Sequence, residues 1–207
     1  MTTLLVIAKE PVPGRVKTRL TPRYTPQQAA ALAEAALADT LEAVRATAAA
    51  RHVLVLDGVP GAWLPAGIDV VPQVGGGLDE RLAAAFAACS GPALLIGMDT
   101  PQVTPALLAH GLELATSGAV IGPAEDGGFW ALGLAEPDPG LLLGVPMSVP
   151  ETGAVQRRRL VDAGLTVRDL PQLRDVDTPD DARQVAAETP GGRFAAAVAR
   201  LTGAGAR

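Results

Sequence analysis

Arg15, Lys17 and Arg19 recur at every second position of the segment Lys9-Glu-Pro-Val-Pro-Gly-Arg-Val-Lys-Thr-Arg-Leu20. In extended backbone that spacing turns three cations to one side. Pro13 stiffens the chain ahead of them, and Gly14 lets the backbone come close to a ligand. The planar fork of arginine and the point charge of lysine suit a di- or triphosphate. A basic loop that merely aids solubility is the alternative. Position argues against it, because the segment opens with Lys9 directly after the apolar run Leu4-Leu-Val-Ile-Ala8. That run reads as a buried parallel strand, and ligands of parallel sheets gather at the carboxyl ends of strands. The spacing is not that of a Walker phosphate loop.

Three acidic segments complete the chemistry. Asp99 follows the strand-like run Ala93-Leu-Leu-Ile-Gly97 and precedes Thr100-Pro101. It is either a capping residue or a ligand of a divalent ion, which takes one or two carboxylates plus phosphate oxygens. Glu125, Asp126, Gly127 and Gly128 form a tight turn by composition. The same turn can present its two acids to an acceptor hydroxyl. Asp175 and Asp177 alternate, so in extended backbone they share a face and one could share a metal with Asp99. Capping of a helix at Pro179 accounts for Asp177, Asp180 and Asp181, but not for Asp175. Gly75-Gly-Gly77 is either a flexible loop or a surface for a base or ribose, and His52 and His110 have no motif around them.

Strands alternating with helices must position these segments. Thr25-Pro26 opens an Ala/Leu-rich helix to about Ala50, and Thr104-Pro105 opens another by the same device. Strands are expected at 52–57, 68–71, 93–97, 119–122, 129–134 and 165–170, and helices at 79–88, 151–163, 179–188 and 194–201. The adjacent strands near 119–134 predict a mixed, mostly parallel sheet with helices on both faces, a Rossmann-like α/β single domain. The domain is read as residues 1–190, followed over 191–207 by a short helix and a frayed tail.

Bulk composition narrows the classes. Of 207 residues, 48% are hydrophobic and 19% charged, enough for a sizeable core. The net charge of −5 argues against a nucleic-acid partner. One cysteine, Cys89, excludes an internal disulfide and any multi-cysteine metal site. No signal peptide and no membrane-length apolar run is read, so the expectation is a cytoplasmic protein without a membrane partner. Nothing in the pattern speaks to oligomeric state.

Taken in order, the segments Lys9 to Leu20, Gln73 with Gly75 to Phe86, Ile96 to Pro101, Gly122 to Gly128 and Asp175 to Asp181 resemble a known group. It is a bacterial family long catalogued as a domain of unknown function and grouped with glycosyltransferases. That family lies within the nucleotide-diphospho-sugar transferase (GT-A) superfamily; 2-phospho-lactate guanylyltransferases are a neighbouring group. The resemblance spans residues 1 to about 190. It implies a GT-A fold, a nucleotide sugar or nucleoside triphosphate as donor, a small-molecule acceptor, and Mg²⁺ or Mn²⁺. It implies metal ligation by Asp99, Asp175 and Asp177, and nucleotide contacts from Lys9, Pro13, Gly14, Arg15, Lys17, Arg19, Gln73 and Gly75. Lys17, Asp99 and Asp126 are the catalytic candidates, and Glu125, Asp126, Gly127 and Gly128 the acceptor-binding ones. The chain departs from the family pattern at Asp79 and Met147, and it has no Asp-x-Asp after the strand at 93–97. Glycosyl transfer is the main expectation and nucleotidyl transfer the alternative. A non-catalytic nucleotide-binding protein is a third reading, disfavoured because every candidate carboxylate is present.

Overall fold

The computed structural model describes residues 1–204; 205–207, the end of the expected frayed tail, lie outside the described residues. Seven strands and six α-helices are present among them: β1 (Thr3–Lys9), α1 (Pro26–Ala46), β2 (Arg51–Asp57), β3 (Asp69–Pro72), α2 (Leu78–Ala87), β4 (Ala93–Ile96), α3 (Pro105–Ala115), β5 (Ala119–Pro123), β6 (Phe129–Leu134), α4 (Thr152–Asp162), β7 (Val167–Asp169), α5 (Pro179–Glu188) and α6 (Arg193–Ala204). The sheet runs β3-β2-β1-β4-β6-β5-β7. Only β6 is antiparallel to its neighbours, β4 and β5, so the expected mixed α/β sheet is what the chain forms.

Three helices start with Thr-Pro, and each start is locally over-determined. Thr25 Oγ1 accepts from Gln28 N at 3.2 Å while Gln28 Oε1 accepts from Thr25 N at 2.8 Å, a reciprocal cap. Thr104 and Thr178 accept from Leu107 N and Asp181 N. Proline at the first helical position sacrifices no hydrogen bond there. The loops leading into these three helices carry Lys17, Asp99 and Asp177, so sharp helix starts fix where the site loops end. The first helix stops at Ala46, short of the expected Ala50, because the chain is extended at Thr47 and enters β2 at Arg51.

The strands are apolar on both faces, as a covered sheet requires. On one face Leu37 and Leu41 of α1 and Leu108 and Leu112 of α3 join the core of Leu4, Val6, Leu54 and Leu94. On the other, Leu82 and Phe86 of α2 and Leu160 of α4 join Leu5, Val53, Val55 and Leu95. A third cluster unites α1, α5 and α6 through Leu32, Val185 and Phe194, and it holds Leu20 and Val176 as well. Those two are next to Arg19 and between Asp175 and Asp177. Full burial of an aliphatic side chain contributes about 2 kcal/mol, so two apolar anchors hold the loops that carry charge. Among the described residues no helix is long and apolar enough to cross a membrane.

Candidate functional site

A cavity of about 800 Å³ opens at the carboxyl ends of β1 and β4. Lys9, Arg15, Lys17, Arg19, Gln73, Asp99, Asp126, Gly128, Asp175 and Asp177 all line it, although they come from five separate segments. Pro13, Gly14, Gly75, Glu125 and Gly127, expected at the site, are not in its lining.

The centre is an ammonium between carboxylates. Lys17 Nζ lies 2.7 Å from Asp99 Oδ1 and 3.2 Å from Asp177 Oδ1, with the lysine side chain only 8% exposed. Burial works against its charge, but Asp99 and Asp177 together outweigh burial and hold its pKa above the ordinary value. Arg19 closes on the other oxygen of Asp177 at 2.6 Å. Asp99 Oδ1 is buried, and its 2.7 Å contact with Lys17 is an ion pair without the angles of a well-formed hydrogen bond. Val176 N donates to the Asp99 carbonyl at 2.9 Å, which ties the two acidic loops together.

The loop of cations is not extended. Residues 13–15 turn, Lys17 takes left-handed backbone (φ 50), and Thr18–Leu20 form a 3₁₀ turn. Alternate spacing therefore does not align the three cations; the turn and the buried Leu20 aim them. Of the three side chains, only that of Lys17 is buried.

Asp175 is strongly perturbed as well. Burial first, then repulsion from Asp99 and Asp126, raises its carboxyl from 3.8 to about 7, with Lys17 only partly offsetting them. Among the described residues no three acidic, histidine or cysteine side chains converge as a ready-made metal site, and Lys17 stands between two of the expected ligands. The donor chemistry nonetheless fits a hard divalent cation: Asp99, Asp126, Asp175 and Asp177 all bring carboxylate oxygens to the cavity. Mg²⁺ and Mn²⁺ sites in nucleotide enzymes take few carboxylates and rely on phosphate oxygens for the rest.

The 124–128 turn is built from its own backbone. Gly128 N donates to Asp126 Oδ1 at 2.8 Å, and Gly153 N donates to the Gly127 carbonyl at 2.9 Å, docking the turn on the start of α4. Glu125 turns away and pairs with Arg174, which also holds Asp181 at 3.1 Å. A Cβ on Gly127 (φ 90) would stand 2.0 Å from the Pro150 carbonyl oxygen, whereas one on Gly14 (φ 77) would meet nothing within 4 Å. Gly127→Ala is therefore expected to cost about 2 kcal/mol or more, and Gly14→Ala about 1 kcal/mol for backbone strain alone. Thermal melts of the two variants check the difference.

Sequence reasoning missed Arg81, whose Nη1 donates to Asp57 Oδ2 and Gln73 Oε1, each at 3.1 Å. Gln73 Nε2 is spent on the Ala8 and Val55 carbonyls, so this amide braces the cavity floor with both ends. It also missed Ser148, a non-glycine residue at φ 59 in the cavity lining. Neither has a local motif: Arg81 reads as an ordinary helix surface residue, and Ser148 as loop.

Known proteins resemble this chain to different degrees. The chain is 37% identical over 215 residues to phosphoenolpyruvate guanylyltransferase of Thermomonospora curvata, a match spanning 97% of this chain and 90% of that one. A Desulfovibrio desulfuricans G20 protein named provisionally as a nucleotide-diphospho-sugar transferase is 26% identical, with TM-score 0.86 over 98% of this chain and 95% of that one. Rv0371c of Mycobacterium tuberculosis H37Rv, solved as a manganese complex, is 24% identical with TM-score 0.54, covering 89% and 96%, and speaks to fold alone. These likenesses make the protein a transferase that uses nucleotides. A family model described as "Uncharacterized protein conserved in bacteria (DUF2064)" matches residues 23–149, which carry Asp99 and Asp126 but stop short of Lys17 on one side and Asp177 on the other. Since that match covers more than half of the sequence, and the guanylyltransferase relative spans nearly all of it, the chain belongs to the DUF2064 family.

Proposed function

We propose that the protein is a metal-dependent nucleotidyltransferase, in which a nucleoside triphosphate gives its nucleoside monophosphate to a small acceptor and pyrophosphate leaves. The observation that carries this reading is Lys17, whose ammonium is held by Asp99 and Asp177 at 2.7 and 3.2 Å inside the cavity. Attack at an α-phosphorus needs charge neutralisation and in-line holding more than it needs proton transfer. A buried lysine supplies that charge at one point. Lys9, Arg15 and Arg19 add exposed cations for the departing phosphates. Asp99 and Asp175 are the carboxylates that would hold Mg²⁺ or Mn²⁺, which supplies Lewis-acid charge neutralisation when bound. The 37% identity to a guanylyltransferase over nearly the whole chain supports the same reading.

Glycosyl transfer from a nucleotide sugar is the second reading. It is favoured by Asp126, which lines the cavity and forms no ion pair among the described residues, as a base for a hydroxyl would. Product analysis separates the two. With Mg²⁺ or Mn²⁺ and a panel of triphosphates and nucleotide sugars, pyrophosphate is the expected product. Release of nucleoside diphosphate from a nucleotide sugar, with no pyrophosphate from any triphosphate, would overturn nucleotidyl transfer.

A further inference from the structure

The carboxylates of the cavity come from three loops distant in sequence, and one residue outside the cavity lining touches all three. The guanidinium of Arg174 pairs with Glu125, the neighbour of Asp126, and through Nη1 with Asp181 Oδ1 at 3.1 Å. The other oxygen of Asp181 accepts from Thr178 N at 2.7 Å and from Asp177 N at 3.4 Å. The carbonyl of Arg174 accepts from Gln102 Nε2 at 2.7 Å, in the loop that starts at Asp99. Asp175 is the next residue of the chain.

The backbone brings Arg174 to this junction in a fixed register. Leu170 N donates to the Ile121 carbonyl at 2.8 Å and Leu173 N to the Pro123 carbonyl at 3.1 Å. Glu125 N then donates back to the Leu173 carbonyl at 3.0 Å. The side chains of Arg174 and Glu125 are 30% and 43% exposed, and ion pairs so exposed add little to stability. Geometry is another matter. Like charges on separate loops push those loops apart, and ties between their neighbours oppose the push. A planar guanidinium meets two carboxylates at once from fixed directions, which an ammonium on a flexible stem does not.

We infer that Arg174 is a positioning residue for the divalent cation. By holding Glu125 and Asp181 together it sets the spacing of the carboxylates on the three loops, and it touches neither substrate nor metal itself. This rests on the reading of Asp99 and Asp175 as carboxylates that would hold Mg²⁺ or Mn²⁺, and it is independent of which donor is used. Partners that orient ligating groups in this way commonly change metal affinity ten- to a hundredfold when removed.

The test titrates Mn²⁺ alone into the metal-free full chain and follows the free ion by electron paramagnetic resonance. Arg174→Met is expected to raise the Mn²⁺ dissociation constant about tenfold. Its melting temperature is expected to fall by no more than about 4 °C. A salt bridge that only stabilised the fold would move the melting temperature and leave the affinity alone. Arg174→Lys keeps the charge but not the fork, and is expected to bind Mn²⁺ about threefold more weakly than wild type. Glu125→Gln is expected to weaken binding about threefold in the wild type and not at all in Arg174→Met, since both act through one contact. Unchanged affinity in Arg174→Met, or equal losses from Glu125→Gln in both backgrounds, overturns the inference. If Arg174→Met does not fold, Arg174→Lys decides: wild-type affinity overturns the inference and weakened binding supports it. A wild type that takes up no Mn²⁺ refutes the metal reading and the inference with it, whereas tight binding untouched by the variants refutes the inference alone.

Discussion

Lys17→Met is expected to lower turnover at least about a thousandfold and to cost about 3 kcal/mol of stability. The ammonium is 8% exposed and touches Asp99 and Asp177, so its removal leaves two carboxylates facing each other with only Arg19 in contact, on the far oxygen of Asp177. Breaking a buried pair on one side is costlier than removing both charges. Adding Asp99→Asn to Lys17→Met should therefore restore part of the melting temperature while leaving turnover absent. Steady-state pyrophosphate release and thermal melts of the two single variants and the double variant give the comparison. Near-normal turnover in Lys17→Met would remove the ammonium from the reaction; a double variant no more stable than Lys17→Met would deny the repulsion.

Asp175→Asn is expected to move stability the other way. In the folded protein this carboxyl is raised from 3.8 to about 7, first by burial and then by Asp99 and Asp126. A carboxyl with a raised pKa holds its proton more tightly when folded than when unfolded. Its penalty is absent below the unfolded value, grows as pH rises from about 4 to about 7, and is complete above that. The full shift converts to about 4 kcal/mol, and partial exposure of the residue reduces the usable figure to about 2 kcal/mol. In metal-free protein near pH 8, Asp175→Asn should therefore melt about 6 °C higher than wild type, and near pH 4 the two should nearly coincide. Metal-dependent turnover should fall in the same variant, since an amide is a poorer ligand for a hard cation. An unchanged or lower melting temperature near pH 8 would show that the carboxylate is not under repulsion.

The sheet was legible because its strands are short unbroken apolar runs, and three helix starts were legible because Thr-Pro is a local signal with a local cause. Asp99 and the Asp175–Asp177 pair were visible as acids at strand ends or before a helix. What sequence could not carry is conformation set by distant contacts. Spacing suggested that Arg15, Lys17 and Arg19 align as an extended ribbon, but Leu20 is drawn into the α1–α5–α6 cluster and the loop coils to follow it. Glu125 looked equivalent to Asp126, yet Arg174, far along the chain, takes it away from the cavity. Gln73 looked available to a nucleotide, but Arg81 and two strand carbonyls consume its amide.

The hydrogen bond from Lys17 to Asp177 spans 160 positions of sequence. A ribosome making this protein must add all of them after Lys17 before the lysine's second counter-ion exists. By then all seven strands of the sheet have been synthesised. The ammonium can reach its resting place only once residue 177 has been made, so a chain interrupted after β7 but before that point would hold every strand of the sheet yet leave Lys17 without its second carboxylate.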